Sequence, residues 1–221
     1  MEVQRLKLSK QDLAVYAVTD RKWLKEEETL AQQVEKAIQG GATIIQLREK
    51  HLRDEEFLAQ AQAVKQATDR YGVLLIINDN VDVAIAVDAA GVHVGQEDMG
   101  AGEVRRRLGP QKILGVSAQT VAHALAAQAA GADYLGVGAV FPTSSKDDAV
   151  EVDKETLQAI CEAVEIPAVA IGGITADNMT QLQGTGIVGV AVISAIFGQP
   201  DVKLAAQILA QQWRAMESAA Q

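Results

Sequence analysis

The chain has 221 residues, of which 48 % are hydrophobic and 22 % charged, with a formal net charge of −9. That balance predicts one domain over residues 1–221 with a large core, and it excludes a general nucleic-acid or anionic-membrane surface while permitting a local cationic pocket. The single cysteine, Cys161, has no internal disulfide partner, and no apolar run nears the roughly 18 residues of a membrane span. The opening residues MEVQRLKLSKQD lack the apolar core of a secretory signal, so the expected location is a reducing cytoplasm.

In chain order, short Val/Ile-rich runs alternate with helical patterns. The expected strands are 15–19, 44–47, 73–77, 92–94, 113–116, 134–137, 168–171 and 188–193. They are apolar on both faces, as strands covered on both sides must be. Between them, apolar residues recur at helical spacing over 30–39, 54–70, 120–130, 154–163 and 203–216. Glycines mark several helix-to-strand handovers (Gly40-Gly41, Gly91, Gly131), and Asp54 and Thr120 read as N-caps. No linker-like or low-complexity tract divides the chain. Eight strand–helix units predict an α/β fold, a (β/α)8 TIM barrel, with an open doubly wound sheet as the lesser alternative.

Such barrels place their active site at the C-terminal ends of the strands, and those ends carry a polar set here. The first run ends in Thr19-Asp20-Arg21. The second carries Gln46, Arg48 and Lys50 at alternate positions, hence on one side of an extended backbone. The third ends in Asn78-Asp79-Asn80. The fourth carries His93 and then Gln96-Glu97-Asp98. Ser117 follows the fifth, and the sixth empties into Thr143-Ser144-Ser145-Lys146. Gly172-Gly173 follows the seventh and Ser194 the eighth.

Each residue alone has a plainer explanation. Arg48, Glu49 and Lys50 are also what a solvated strand end contains, Asp79, Asp98 and Ser117 stand near helix starts as caps do, and paired glycines make turns. His93 on an apolar strand is more often a core residue than a catalyst. His51 and His123 read as surface histidines, and Cys161 as a packing residue. Convergence on one face favours a site. Arg48, Lys50 and Lys146 form a cationic zone for an oxyanion, and Asp79 with Asp98 an acidic zone whose hard oxygens suit Mg²⁺. The loops with Gly173, Ile193 and Ser194 stand where barrels commonly bind phosphate. No Ser–His pair is evident from spacing, so covalent catalysis is not expected.

Together the motifs QLREK (46–50), INDN (77–80), GVHVGQEDM (91–99), GVSAQT, GVGAVFPTSSK, AIGGIT and ISAI resemble the thiamine-phosphate synthase family over nearly the full length. The resemblance implies an enzyme joining a hydroxymethylpyrimidine diphosphate to a thiazole phosphate, giving thiamine phosphate and pyrophosphate. It implies that Gln46, Leu47, Arg48, Glu49, Lys50, Asn78, Ser117 and Lys146 hold the pyrimidine diphosphate, with His93 near the pyrimidine. Thr143, Ser144, Ser145, Gly173, Ile193 and Ser194 would hold the thiazole phosphate, and Asp79 and Asp98 the Mg²⁺. Ser145 departs from a Thr-x-Thr pattern, keeping the hydroxyl and losing a methyl. The implied mechanism is dissociative, with Ser117, Arg48, Lys50 and Lys146 acting on the departing diphosphate. A tautomerase-like branch resembles the chain too but carries histidine where Gln119 stands, and a non-catalytic metabolite-binding barrel is the more distant alternative. Closure of loop 141–149 over the site is expected from its length and hydroxyls. The helical faces are compatible with a homo-oligomer.

Overall fold

The structure is a computed structural model that describes residues 8–143 and 151–219. Among these residues eight parallel strands close in sequence order, each hydrogen-bonded to the next and the last to the first. They are β1 Val15–Val18, β2 Ile44–Leu47, β3 Leu74–Asn78, β4 Gly91–Val94, β5 Ile113–Ala118, β6 Tyr134–Val137, β7 Ala168–Ile171 and β8 Gly189–Val192. The expected barrel is therefore present, and the open sheet is excluded by the β1–β8 pairing.

Alternation along each strand divides the core in two. Tyr16, Val18, Ile44, Ile76, Ile113, Tyr134, Val169 and Ala191 form one cluster, filling the barrel interior. The intervening residues, among them Ile45, Leu47, Ile77, Val92, Leu114, Val116, Leu135 and Val137, join the helices in a second and larger cluster. Each fully buried aliphatic of this kind contributes about 1.5–3 kcal/mol relative to exposure, so most strands carry apolar residues on both phases for a physical reason.

The outer layer consists of α1 Leu30–Gly40, α2 Asp54–Tyr71, α3 Val81–Ala86, α4 Ala101–Leu108, α5 Val121–Ala129, α6 Lys154–Ala163 and α7 Val202–Ala219. Thr120 caps α5, its side chain accepting from the His123 amide. Asp54, by contrast, is the first residue of α2 rather than its cap: Arg53 has the extended backbone, and Asp54, Glu55 and Glu56 fill the first turn, where carboxylates complement the helix dipole. Helices α3 and α4 are not marked by the sequence pattern because, at six and eight residues, they are too short to show a helical period. A 3-10 turn, Met179–Leu182, stands where an eighth α-helix would follow β7.

Candidate active site

A cavity opens at the C-terminal ends of the strands, and most of the expected residues line it. Gln46, Arg48, Lys50, Asn78, Asp79, His93, Asp98, Ser117, Thr143, Gly173, Ile193 and Ser194 all face it, with Tyr16, Gln119, Gly136, Gly138 and Gly172. Ser144, Ser145 and Lys146 lie outside the described residues, as does most of the loop expected to close.

The segment 46–50 does not enter the cavity as a unit. Gln46, Arg48 and Lys50 point inward at alternate positions. Leu47 is fully buried among the helices instead. Glu49 also turns outward, where its carboxylate takes two contacts from the Arg21 guanidinium at 3.2 and 3.3 Å. Of the five residues expected to hold a ligand, the period of the strand turns the side chains of Leu47 and Glu49 away from the cavity.

The charged rim is arranged in opposed pairs. Lys50 Nζ donates to Asp79 Oδ2 at 2.7 Å, and Arg48 Nη1 lies 3.8 Å from Asp20 Oδ2. Asn78 Nδ2 donates to the same Asp79 oxygen at 2.5 Å. Consecutive strand residues normally diverge, but Asp79 has φ +61°, a left-handed turn that aspartate tolerates better than most residues. It brings Asn78 and Asp79 to the same cavity. Neither Asp79 nor Asp98 caps a helix: Asn80 caps α3, accepting from Val83, and Gly100 precedes α4. Asp98 instead accepts from the Gly95 amide at 2.7 Å. Burial pushes the Asp79 carboxyl up; Lys50 opposes that and the neighbouring Asp98 adds to it.

The floor of the cavity is polar but neutral. His93 Nε2 lies 3.0 Å from Ser117 Oγ, and Nδ1 lies 3.0 Å from the Tyr134 hydroxyl. Tyr134 and Tyr16 share a 2.7 Å hydrogen bond, and Gln46 Nε2 donates to Tyr16 at 2.9 Å. Spacing in the sequence concealed this Ser–His pair, because its members sit on neighbouring strands and are 24 residues apart. The pair is nevertheless unsuited to generating a nucleophile. Burial holds the His93 pKa down at about 4, too low for an effective base near neutrality. Cys161, on α6 away from the cavity, has its thiol pushed up to about 11 by burial. Opposite the charged rim, Gly172 and Gly173 adopt φ +100° and +62°. A Cβ at Gly173 would stand 2.4 Å from the Pro142 carbonyl oxygen, so this turn admits backbone only. A backbone turn beside Ser194 is what the phosphate loops of barrels require.

A closed parallel barrel whose strand-end cavity combines paired cations, paired carboxylates and a glycine turn defines a barrel enzyme built for phosphorylated small molecules. A family model described as thiamine monophosphate synthase matches residues 15–196. The thiamine-phosphate synthase of Clostridium tetani is 53 % identical over 90 % of this chain and 94 % of its own length. That of Ruminiclostridium cellulolyticum is 53 % identical over 91 % and 95 %. Among solved structures, the thiamine phosphate pyrophosphorylase of Pyrococcus furiosus superposes with a TM-score of 0.86 at 40 % identity, covering 94 % of this chain and 98 % of that one. The chain belongs to the thiamine monophosphate synthase family and is a transferase.

Proposed function

We propose that the chain condenses 4-amino-2-methyl-5-(diphosphooxymethyl)pyrimidine with 4-methyl-5-(2-phosphooxyethyl)thiazole, releasing pyrophosphate and leaving thiamine phosphate. The observation that carries this reading is the placement of Arg48, Lys50, Asp79 and Asp98 on one rim of the cavity, with Gly172-Gly173 and Ser194 on the other. Two separate anion-binding zones suit one substrate with a diphosphate and another with a phosphate.

The donor set fits Mg²⁺. Among the described lining residues two cations face two carboxylates, so an entering diphosphate finds no surplus positive charge there. Mg²⁺ commonly takes one or two protein carboxylates and completes its shell with phosphate oxygens and water, which matches Asp79 and Asp98. Bound there, the ion would neutralise charge on the diphosphate. Arg48 and Lys50 would leave their carboxylate partners to hold diphosphate oxygens, Arg48 as a planar fork and Lys50 as a point charge. Lys146 is assigned to the same group. Ser117 would donate to the diphosphate near the breaking C–O bond.

No enzyme nucleophile is needed. As the C–O bond breaks, its electron pair leaves with pyrophosphate; the aminopyrimidine spreads the positive charge on its methylene, and the thiazole nitrogen supplies the new bond. With the His93 pKa held down at about 4, the floor offers no strong base to activate water against that cation. The test is to mix purified protein with both substrates and Mg²⁺ and assay thiamine phosphate and pyrophosphate together, with an EDTA control. Equal amounts of both products, lost in EDTA, are expected. Folded protein giving neither would overturn the reading and favour metabolite binding alone.

A further inference from the structure

The cavity floor contains more order than substrate binding by Ser117 requires. Five side chains from five strands follow one another in hydrogen-bond contact: Gln46 to Tyr16 at 2.9 Å, Tyr16 to Tyr134 at 2.7 Å, Tyr134 to His93 Nδ1 at 3.0 Å, and His93 Nε2 to Ser117 at 3.0 Å. Tyr16 and Tyr134 are 1 % and 0 % exposed. Such deep burial leaves their hydroxyls dependent on these partners. Two inward-facing glycines make the chain possible. Gly115 pairs with His93 on one side and Tyr134 on the other. A Cβ there would stand 2.2 Å from Tyr134 Cζ and 2.5 Å from His93 Nδ1. Gly136, beside Ser117 in register, would place a Cβ 3.0 Å from His93 Cε1. The barrel interior thus gives up two side chains at the points where the rings meet.

The direction of the protons follows from the first link. Gln46 presents its NH₂ to Tyr16, and an amide nitrogen can only donate. Tyr16 is buried, and with Gln46 donating to it, the Tyr134 oxygen is the remaining partner to receive the Tyr16 proton. Tyr134 in turn donates to His93 Nδ1. A neutral imidazole that accepts at Nδ1 carries its proton on Nε2, so His93 donates to Ser117 Oγ. The hydroxyl proton of Ser117 then points away from His93, into the cavity.

We infer that Gln46, Tyr16, Tyr134 and His93 form a one-way hydrogen-bond relay that fixes Ser117 as a donor to the bound diphosphate ester, with Tyr16 and Tyr134 as positioning residues. The assignment of the recipient rests on the proposed function; the direction of the relay does not. A relay running the other way would put the proton on Nδ1 and turn Ser117 into an acceptor, which would repel an anionic oxygen.

The test reads the tautomer directly. In protein labelled with ¹⁵N-histidine, long-range ¹H–¹⁵N correlation at neutral pH, with His93→Gln to assign the signal, should show a pyrrole-type Nε2 and a pyridine-type Nδ1 for His93. The opposite pattern would overturn the proposal. Tyr134→Phe should release the tautomer preference and lower kcat about tenfold with both KM values within twofold. Combined with Ser117→Ala, it should cost nothing further, because its effect is transmitted through that hydroxyl. Tyr16→Phe, one link farther out, should behave alike with a smaller loss. Additive losses in the double variants would overturn the positioning role. An Nε2-protonated His93 in a protein that makes no product would support the relay while removing the transferase reading.

Discussion

At the scale of single residues, His93 and Ser117 make opposite demands on the surrounding protein. In the proposed reaction Ser117 would be needed for its proton, and removing one preorganised donor to developing charge typically lowers kcat by about 10²–10³. Ser117→Ala should show that loss with an unchanged unfolding midpoint, measured by single-turnover kinetics beside urea titration. Turnover at the parental rate would remove the donor role. The proposed relay would need His93 neutral, and its neutrality is linked to stability. Its pKa falls from 6.5 to about 4 on folding, chiefly through burial, with Asp98 opposing. Above pH 6.5 both folded and unfolded states hold it neutral. Between 6.5 and 4 the unfolded state takes up a proton that the folded state refuses, so stability falls as pH falls and levels off below 4. The loss is on the order of 3 kcal/mol over that window. Urea midpoints measured downward from pH 7 should therefore drop more steeply in the parent than in His93→Gln; parallel curves would contradict the assignment.

At the scale of elements, strands and long helices were legible in the sequence while the short connections were not. Apolar residues on both strand phases announced a two-sided parallel sheet, and strands 44–47, 134–137 and 168–171 coincide with those observed. Period 2 also placed Gln46, Arg48 and Lys50 together. The same period turns the side chains of Leu47 and Glu49 to the other side, a distinction that the motif resemblance, naming the segment as one block, does not make. The floor relay was hidden for a different reason: Tyr16 and Tyr134 read as ordinary core aromatics, and only closure of the barrel brings β1 and β6 residues into contact across its interior. The opposite end of the barrel shows an element held by one side chain. Arg105 of α4 donates to the carbonyls of Gly109, Lys112 and Gly131 at 2.9, 2.7 and 2.9 Å and to Asp133 at 2.5 Å. It clamps the entries to β5 and β6. Arg105→Ala removes the guanidinium from a half-buried carboxylate and three carbonyls at once, and breaking such a pair commonly costs about 3–5 kcal/mol. The urea midpoint should fall accordingly while kcat of the folded protein stays parental, since the cavity lies at the far ends of the strands. A fall in kcat with unchanged stability would show that the two ends are coupled.

At the scale of the whole molecule, a net charge of −9 repels a polyanion at long range, so affinity must be generated inside the cavity. There Lys50 is already matched to Asp79 at 2.7 Å and Arg48 stands near Asp20. Pyrophosphate alone would have to displace those carboxylates and then lie beside them. Pyrophosphate with Mg²⁺ would turn Asp79 and Asp98 from repelling neighbours into ligands. Binding to the folded state alone stabilises it by about 2.7 kcal/mol at a hundredfold excess over Kd, and in a domain of this size each kcal/mol moves Tm by roughly 2–4 °C. Inorganic pyrophosphate plus MgCl₂ should therefore raise Tm by about 5–10 °C, whereas either alone should produce a small fraction of that shift. Asp79→Asn combined with Asp98→Asn should abolish the dependence on Mg²⁺ and leave only a weak response to pyrophosphate through Arg48 and Lys50. An equal shift in EDTA would mean that the protein's own cations suffice and that the two carboxylates hold no metal. A Mg²⁺-dependent shift that survives in the double variant would place the ion elsewhere in the cavity, and Asp79 would then be left as the partner that keeps Lys50 positioned before substrate arrives.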